Sequence, residues 1–436
     1  MQSINIGLLG FGTIGTGVVR LVQKNAKIIE QRLGCKVNLV KIADLDIVRD
    51  RGVSVPGHML TADANDVVSH PDIHVVVELI GGYEPARSLV LKAIQNGKHV
   101  VTANKALLAV HGQEILQAAE KYGVEVLYEA AVGGGIPIIS AIKENLCGNN
   151  FHSVFGIFNG TCNYILTRMT EDGEDFGSVL KEAQEKGYAE ADPTFDVEGI
   201  DTAHKLALLI SLCFGTRVDF SKVYTEGIAQ LSLVDIEFAK QMGYKIKLLA
   251  IGKEEGGQIE ARVHPTMIPA DYPLAQVDGV LNAVRLVGDF VGPVTLQGAG
   301  AGMDATASAV VGDIMSLGRN ILQGINKRSP IMGYCPAYIR DLPIKSMDEI
   351  VGPYYLRFAV MDRPGVLAQI AGILGTYDIS IASMIQPDRQ EGLSVPVVLV
   401  THDALEVNIK KALKEIDNLE VIREKSHLIR IEASLD

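Results

Sequence analysis

SINIGLLGFGTIG, residues 3–15, is a short apolar run rich in β-formers that breaks into glycines, and TGVVRLVQKNAKIIEQRL follows it with apolar positions at helical spacing. The reading is strand, tight turn, helix. In the turn, Gly10 permits the sharp bend, Gly12 lets backbone approach a pyrophosphate, and Gly15 allows the helix to pack closely. Phe11, Thr13 and Ile14 complete a loop whose amides, at a helix N-terminus, suit an anion. A lone GxGxxG is weak evidence. Here KVNLVKIAD (36–44), HVVVELI (74–80), KHVVTA (98–103) and VEVLYEAAV (124–132) repeat the buried-strand pattern, with helical stretches such as EPARSLVLKAIQNG between them. Continuous apolar strands with helical crossovers mean a parallel sheet covered on both faces, an α/β dinucleotide-binding fold.

Asp44 ends the second strand, where a carboxylate accepts a ribose hydroxyl and favours NAD. Its spacing from Gly15 is long, and Lys41 and Arg49 stand nearby to meet a 2′-phosphate, so NAD and NADP both stay open. Thr102, Asn104 and Lys105 follow a strand at the carboxyl edge, where open α/β sheets bind ligands. A solvated loop lysine is the plain alternative.

From about residue 151 the pattern changes. FHSVFGIFNG reads as a strand, NYILTRM and FGSVLKEAQEKG as helices, and YKIKLLAIGKE, QIEARVHPTMI, NAVRLVGDFVG and PVTLQGAGAG as strands of an antiparallel sheet. The last portion runs strand, helix, strand, strand, helix, strand, the split βαβ order of ferredoxin-like modules. The expected domains are 1–135, with a helix at 302–322 returning to it, then 136–322, a linker over 323–352, and 353–436.

The 436 residues carry 40 Lys+Arg against 52 Asp+Glu, a formal charge of −12, with no basic block to follow a phosphate backbone. Nucleic acid is not an expected partner, nor is a membrane: the apolar runs are too short to span one, and no signal peptide is read at the start. The expected compartment is the cytoplasm. The five cysteines are scattered without a CxxC, which argues against disulfides and a zinc site.

GYAEADPTFDVEGIDTAHK (187–205) gathers Glu190, Asp192, Asp196, Glu198, Asp201 and Lys205 at the start of an apolar helix. Acids there suit the helix dipole, and Asp201 with Lys205 could be an ordinary i, i+4 surface pair. Yet LALLI follows Lys205 at once, which sets it near the buried side. A lysine held charged by an aspartate is a proton donor for an oxygen that gains charge as a carbonyl is reduced. Cys162 offers a competing nucleophile, although no histidine lies near it in sequence. His264 reads as structural.

Together, GFGTIG, TANK, YEAAVGGGIP, FNGTCNYIL, the acidic motif and GAGAG resemble the homoserine dehydrogenases, and DRPGVLAQIAGILGTYDISIASM resembles an ACT domain. The resemblance implies an oxidoreductase with a Rossmann-type domain, an α+β substrate and dimerisation domain and an ACT regulatory domain. It would interconvert aspartate 4-semialdehyde and homoserine with NAD or NADP on the way to threonine, methionine and isoleucine. It makes Lys205 the proton donor, Asp201 its orienting partner and Lys105 a second active-site lysine near nicotinamide and substrate. Glu190 would hold the substrate ammonium, with Asp196 in the same polar shell, and Gly302 would contact the cofactor. A structural sodium ion maps onto Glu129, Val132, Gly134 and Ile136, through backbone carbonyls and one carboxylate. Asp362, Pro364, Gly365 and Val366 form the ACT loop, which implies threonine as effector; an ACT module used only for assembly is the alternative. Truncation near residue 345 is then expected to spare activity and abolish threonine sensitivity. With no kinase-like segment read upstream, a monofunctional homo-oligomer, dimer or tetramer, is expected. Two other readings stay open: a Cys162-dependent semialdehyde dehydrogenase, and a non-catalytic redox and amino-acid sensor.

Overall fold

The computed structural model describes residues 3–326, 328–386 and 394–435; Lys327 of the expected linker and 387–393 of the expected terminal domain fall outside it. Two compact units emerge: Met1–Gly160, Asp201–Lys222 and Val280–Leu342 form the first, and Thr161–Ile200, Val223–Gly279 and Pro343–Asp436 the second.

In the first unit, β1 (Ser3–Leu9), β2 (Lys36–Ala43), β3 (Leu60–Thr61), β4 (Val75–Glu78), β5 (His99–Thr102) and β6 (Val126–Leu127) make a parallel sheet in the order β3-β2-β1-β4-β5-β6. The order reverses between β1 and β4, which places a ligand crevice at their carboxyl ends. Both faces are covered, as the apolar strands require. On one, Ile4, Ile6 and Leu8 pack with α1 (Thr13–Lys24) and the helix Met303–Gln323; on the other, Val76 and Val100 pack with Val90, Ile94, Leu107 and Ile115. The long helix lies so close to α1 that a Cβ at Gly17 would meet the Met303 backbone oxygen at 2.9 Å.

The stretch 124–132 departs from the expected strand. Only Val126–Leu127 pairs, and Glu129–Ala131 turns into a 3₁₀ helix, because the buried Glu129 carboxylate draws the chain off the sheet to accept the Ile139 and Ser140 amides at 2.7 and 2.8 Å. The same unit holds an antiparallel trio, Phe151–Ile157, Leu281–Gly288 and Gly292–Ala299, and the apolar helix Ile200–Phe214.

In the second unit, Tyr244–Glu255 and Gln258–Pro269 form a long hairpin. The terminal module has strands Tyr354–Met361, Ile381–Ile385, Ser394–Thr401 and His427–Ile431, with helices Val366–Thr376 and Glu406–Ile416 covering them. Its last strand also pairs in parallel with the hairpin, Thr266 opposite Arg430 and Met267 opposite Ile431. The module therefore extends the hairpin sheet. Buried ion pairs sew the join: Arg357 donates to both Asp235 oxygens at 2.6 and 3.0 Å, and Arg262 reaches Glu432 at 2.8 Å. A cut near residue 345 would remove the partners of Asp235 and Arg262 and bare the strand edge at Thr266 and Met267. Nor is the connecting stretch loose: Arg340 N donates to Gly215 O at 2.8 Å, and Lys345 N to Ile259 O at 2.8 Å. No helix among the described residues is long and apolar enough to cross a membrane.

Candidate active site

The glycine turn has three distinct reasons for its glycines. Gly10 has φ 100° and a Cβ there would strike Leu79 O at 2.8 Å; at Gly15 a Cβ would lie 2.3 Å from Gly10 O; at Gly12 nothing lies within 4 Å, so its outer side is open to a ligand. Asp44 closes the turn from the β2 end. One of its oxygens accepts Phe11 N at 2.6 Å, and the other accepts Asp46 N at 2.8 Å and Arg51 at 3.2 Å. Arg51 also lies over the Phe11 ring, 4.6 Å from its centre, and donates to Phe11 O at 2.5 Å. Arg51, rather than the Arg49 and Lys41 read from sequence, is thus the cation beside Asp44. Lys41 instead donates to His58 O at 2.9 Å.

At the carboxyl end of β5, Thr102 donates to Glu78 at 2.6 Å, and Glu78 in turn accepts Ile80 N at 2.8 Å. Glu78 is fully buried at the end of β4 and was not singled out from the sequence, although a glutamate within an apolar strand is a signal. Asn104 caps the helix Lys105–Tyr122 through Leu107 N at 3.1 Å and donates to Gly82 O at 2.7 Å. Lys105 therefore begins a well-fixed helix. Gly302 starts the helix Met303–Gln323 with φ 101°, a backbone conformation that suits glycine.

Asp201 lies between two lysines. Its Oδ2 accepts Lys205 Nζ at 2.7 Å and its Oδ1 pairs with Lys105 Nζ at 2.8 Å. Lys205 also donates to Phe158 O at 2.6 Å, and Asn159 donates to Asp201 Oδ2 at 3.1 Å. The Lys205 side chain is 9% exposed and that of Lys105 33%, so one ammonium is sheltered and the other reaches outward. Burial alone would raise the Asp201 carboxyl, but the two ammonium groups outweigh it and hold it well below the usual carboxylate range. Beside them His204 stacks on Phe220, with ring centres 4.0 Å apart, and burial pushes its imidazole down to about 4. It is neutral at physiological pH.

Glu190 and Asp196 belong to the second unit. Glu190 is exposed in the turn after the helix Phe176–Glu185, its carbonyl accepting from Gln184 at 3.1 Å. The Asp196 carboxylate accepts from Thr161 at 3.3 Å, and its carbonyl accepts from the Cys162 thiol at 3.2 Å. Cys162 is fully buried, which removes it from any incoming aldehyde. His264 is also buried, bonded to Thr266 at 2.9 Å and beside Arg262 at 2.9 Å, and burial holds its imidazole neutral.

The expected cation loop runs through Gly133 and Gly134, with φ of 71° and 54°, and Gly134 is pressed against the Gly300 backbone. Each Glu129 carboxylate oxygen accepts one amide, from Ile139 or Ser140, and keeps a further lone pair.

A dinucleotide crevice, together with a buried aspartate that fixes two lysines, defines an oxidoreductase of the nicotinamide-dependent class. Residues 10–129 match the family described as homoserine dehydrogenase, NAD binding domain, residues 137–315 match homoserine dehydrogenase, and residues 354–421 match the ACT domain. A homoserine dehydrogenase of Neisseria gonorrhoeae is 46% identical over 436 residues, covering 100% of both chains. One from Pseudomonas aeruginosa is 47% identical with 99% of each covered. The crystal structure of a homoserine dehydrogenase from Thiobacillus denitrificans superposes with a TM-score of 0.94 at 46% identity, covering 99% of both chains. The chain belongs to the homoserine dehydrogenase family, in the form that carries an ACT domain.

Proposed function

We propose that the chain interconverts aspartate 4-semialdehyde and homoserine with Lys205 as the proton donor and acceptor, in the branch leading to threonine, methionine and isoleucine. The observation that carries this reading is the Asp201 carboxylate bridging Lys205 and Lys105 at 2.7 and 2.8 Å. A bound reduced nicotinamide supplies the hydride. The aldehyde oxygen then gains negative charge, and the sheltered Lys205 ammonium stabilises it and passes it a proton. Asp201 keeps that ammonium charged and aimed. Lys105, at the start of its helix and partly exposed, contacts the substrate and the nicotinamide. Glu190 takes the substrate ammonium, with Asp196 beside it. Gly10–Gly15, Thr102 and Gly302 cradle the dinucleotide, and Asp44 takes its adenosine ribose; the Asp44 and Arg51 pair leaves NAD and NADP both admissible. Glu129, Val132, Gly134 and Ile136 would hold a sodium ion through backbone carbonyls and one carboxylate, and that ion would steady the loop beside Gly300.

Threonine acts as feedback inhibitor at the ACT loop, where a cavity of about 260 Å³ is lined by Met361, Asp362, Arg363, Gly365, Val366 and Gln386. The enzyme works in the cytoplasm as a homo-oligomer. The test is oxidation of homoserine by purified protein with NAD and then NADP, in wild type and Lys205→Ala, with and without threonine. Reduced nicotinamide from the wild type and near silence from the variant are expected, and the faster dinucleotide identifies the cofactor. Turnover by Lys205→Ala at the wild-type rate would overturn the proton-donor assignment. Dinucleotide binding without turnover in the wild type would favour the sensor reading.

A further inference from the structure

Two oxygens that hold the Lys205 ammonium each also accept an asparagine amide. Phe158 O takes Lys205 Nζ at 2.6 Å and Asn282 Nδ2 at 2.8 Å, while Asp201 Oδ2 takes Lys205 Nζ at 2.7 Å and Asn159 Nδ2 at 3.1 Å. Asn282 stands on the strand Leu281–Gly288 and is 1% exposed, and Asn159 is 5% exposed. The Asn282 Oδ1 is buried with no hydrogen-bond partner among the described residues. The amide packs closely on Gly300, where a Cβ would lie 2.0 Å from it. Packing alone gives no reason for an amide here; a donor aimed at the Phe158 carbonyl does.

We propose that Asn159 and Asn282 are positioning residues that weaken the hold on the Lys205 ammonium and so make it a stronger acid. The reason is electrostatic. An amide hydrogen is the positive end of its dipole, and each of these points at an oxygen that Lys205 also uses, which puts positive partial charge beside the ammonium and disfavours the charged form. Both also compete for the lone pairs of a shared acceptor. The ionisable groups near Lys205 include Asp201, Lys105 and His204. Asp201 favours the ammonium strongly, so without an opposing influence Lys205 would keep its proton too firmly to give it to the aldehyde oxygen. The inference rests on Lys205 as proton donor.

Asn282→Ala and Asn159→Ala test it separately, since each frees a different acceptor. In homoserine oxidation Lys205 must start as the free amine, so the rate rises with pH through its titration. Each variant is expected to move that limb upward by about half to one pH unit, with the dinucleotide KM held within about twofold, and the double variant to move it further. A uniform loss of kcat at every pH with the limb unmoved would reduce both residues to scaffolding. Asn282→Asp, of the same size, carries a second check: its carboxylate favours the ammonium and should shift the limb at least as far as Asn282→Ala. Thermal melting shows which variants fold, and one folded variant suffices. The same titration is read without turnover from the ¹³Cε resonance of Lys205, assigned by its loss in Lys205→Ala. An unshifted resonance overturns the proposal whatever the kinetic role of Lys205 proves to be, whereas turnover retained by Lys205→Ala, with a shifted resonance, would overturn only the proton-donor reading.

Discussion

Asp201 is the residue on which the site turns, because it pairs with both Lys205 and Lys105. Asp201→Asn would keep its shape and remove its charge, leaving the sheltered Lys205 facing an amide. Breaking a buried pair by removing one partner costs about 3–5 kcal/mol. The variant should therefore melt well below wild type and lose about two to four orders of magnitude in turnover, the usual worth of the acid and oxyanion functions together. Lys105→Ala should cost less stability, since that side chain is 33% exposed, while still lowering turnover. Paired melting curves and rates for the two variants check both. The deficit of Asp201→Asn should also be flat across neutral pH. A depressed carboxyl contributes stability above its unfolded pKa, about 3.9, and loses it only as pH falls below that. An i, i+4 spacing made the Asp201–Lys205 pair legible in the sequence, because both residues sit on one helix. Asn282 and the Phe158 carbonyl were not legible, since only the tertiary fold brings residues so distant in the chain onto one ammonium. Arg51 was missed for a local reason: the turn after Asp44 folds back on itself and returns Arg51 to the carboxylate, with the Arg49 carbonyl accepting from it on the way.

At the scale of elements, the helix Met303–Gln323 carries its own titrating group. Asp313 lies on its buried face, accepts Glu129 N at 2.9 Å, and is pushed up to about 8 by burial and by the neighbouring Glu129 carboxylate. A group with a raised folded pKa holds its proton where the unfolded chain has lost it, so its contribution is fully present below about pH 3.9 and declines as pH rises towards about 8. Asp313→Asn mimics the protonated form and has nothing to lose. Its melting temperature relative to wild type should therefore rise steadily between acid and mildly alkaline pH; a constant difference would show that Asp313 is ionised in the native state. Nothing in the helical periodicity of SAVVGDIMSLGRNI discloses this, because an aspartate on the inner face is indistinguishable from one on the outer face until a partner helix is placed. The strands were more legible. β1, β2, β4 and β5 are apolar runs whose pattern needs no partner to be recognised, whereas 124–132 read as one long strand and pairs over only two residues, its apolar character serving the Glu129 turn instead.

For the molecule as a whole, the decisive question is whether the ACT module is an appendage or part of the sheet that carries it. The order of strands and helices in the terminal 80 or so residues was readable, but their pairing with Thr266 and Met267 was not, because a parallel edge contact leaves no mark on composition. The energetics follow from that contact. Deleting the chain from about residue 345 would leave Asp235, 1% exposed, without Arg357 and Tyr355, and would leave Arg262, 6% exposed, without Glu432. Those charges would then face water, so the larger loss is the sheet edge at Thr266 and Met267, bared to pair with another chain. The truncated chain should thus aggregate or melt at low temperature, and its silence would say nothing about regulation. A point change in the ACT loop separates the two. Asp362→Ala touches the cavity beside Gly365 and none of the pairs that join module to hairpin, so it should keep the melting temperature and basal turnover while raising the threonine concentration needed for half-inhibition by tenfold or more, about 1.4 kcal/mol of binding. A wild type that ignores threonine would make the module a structural extension of the sheet; a variant inhibited as readily as wild type would move the effector site away from this loop.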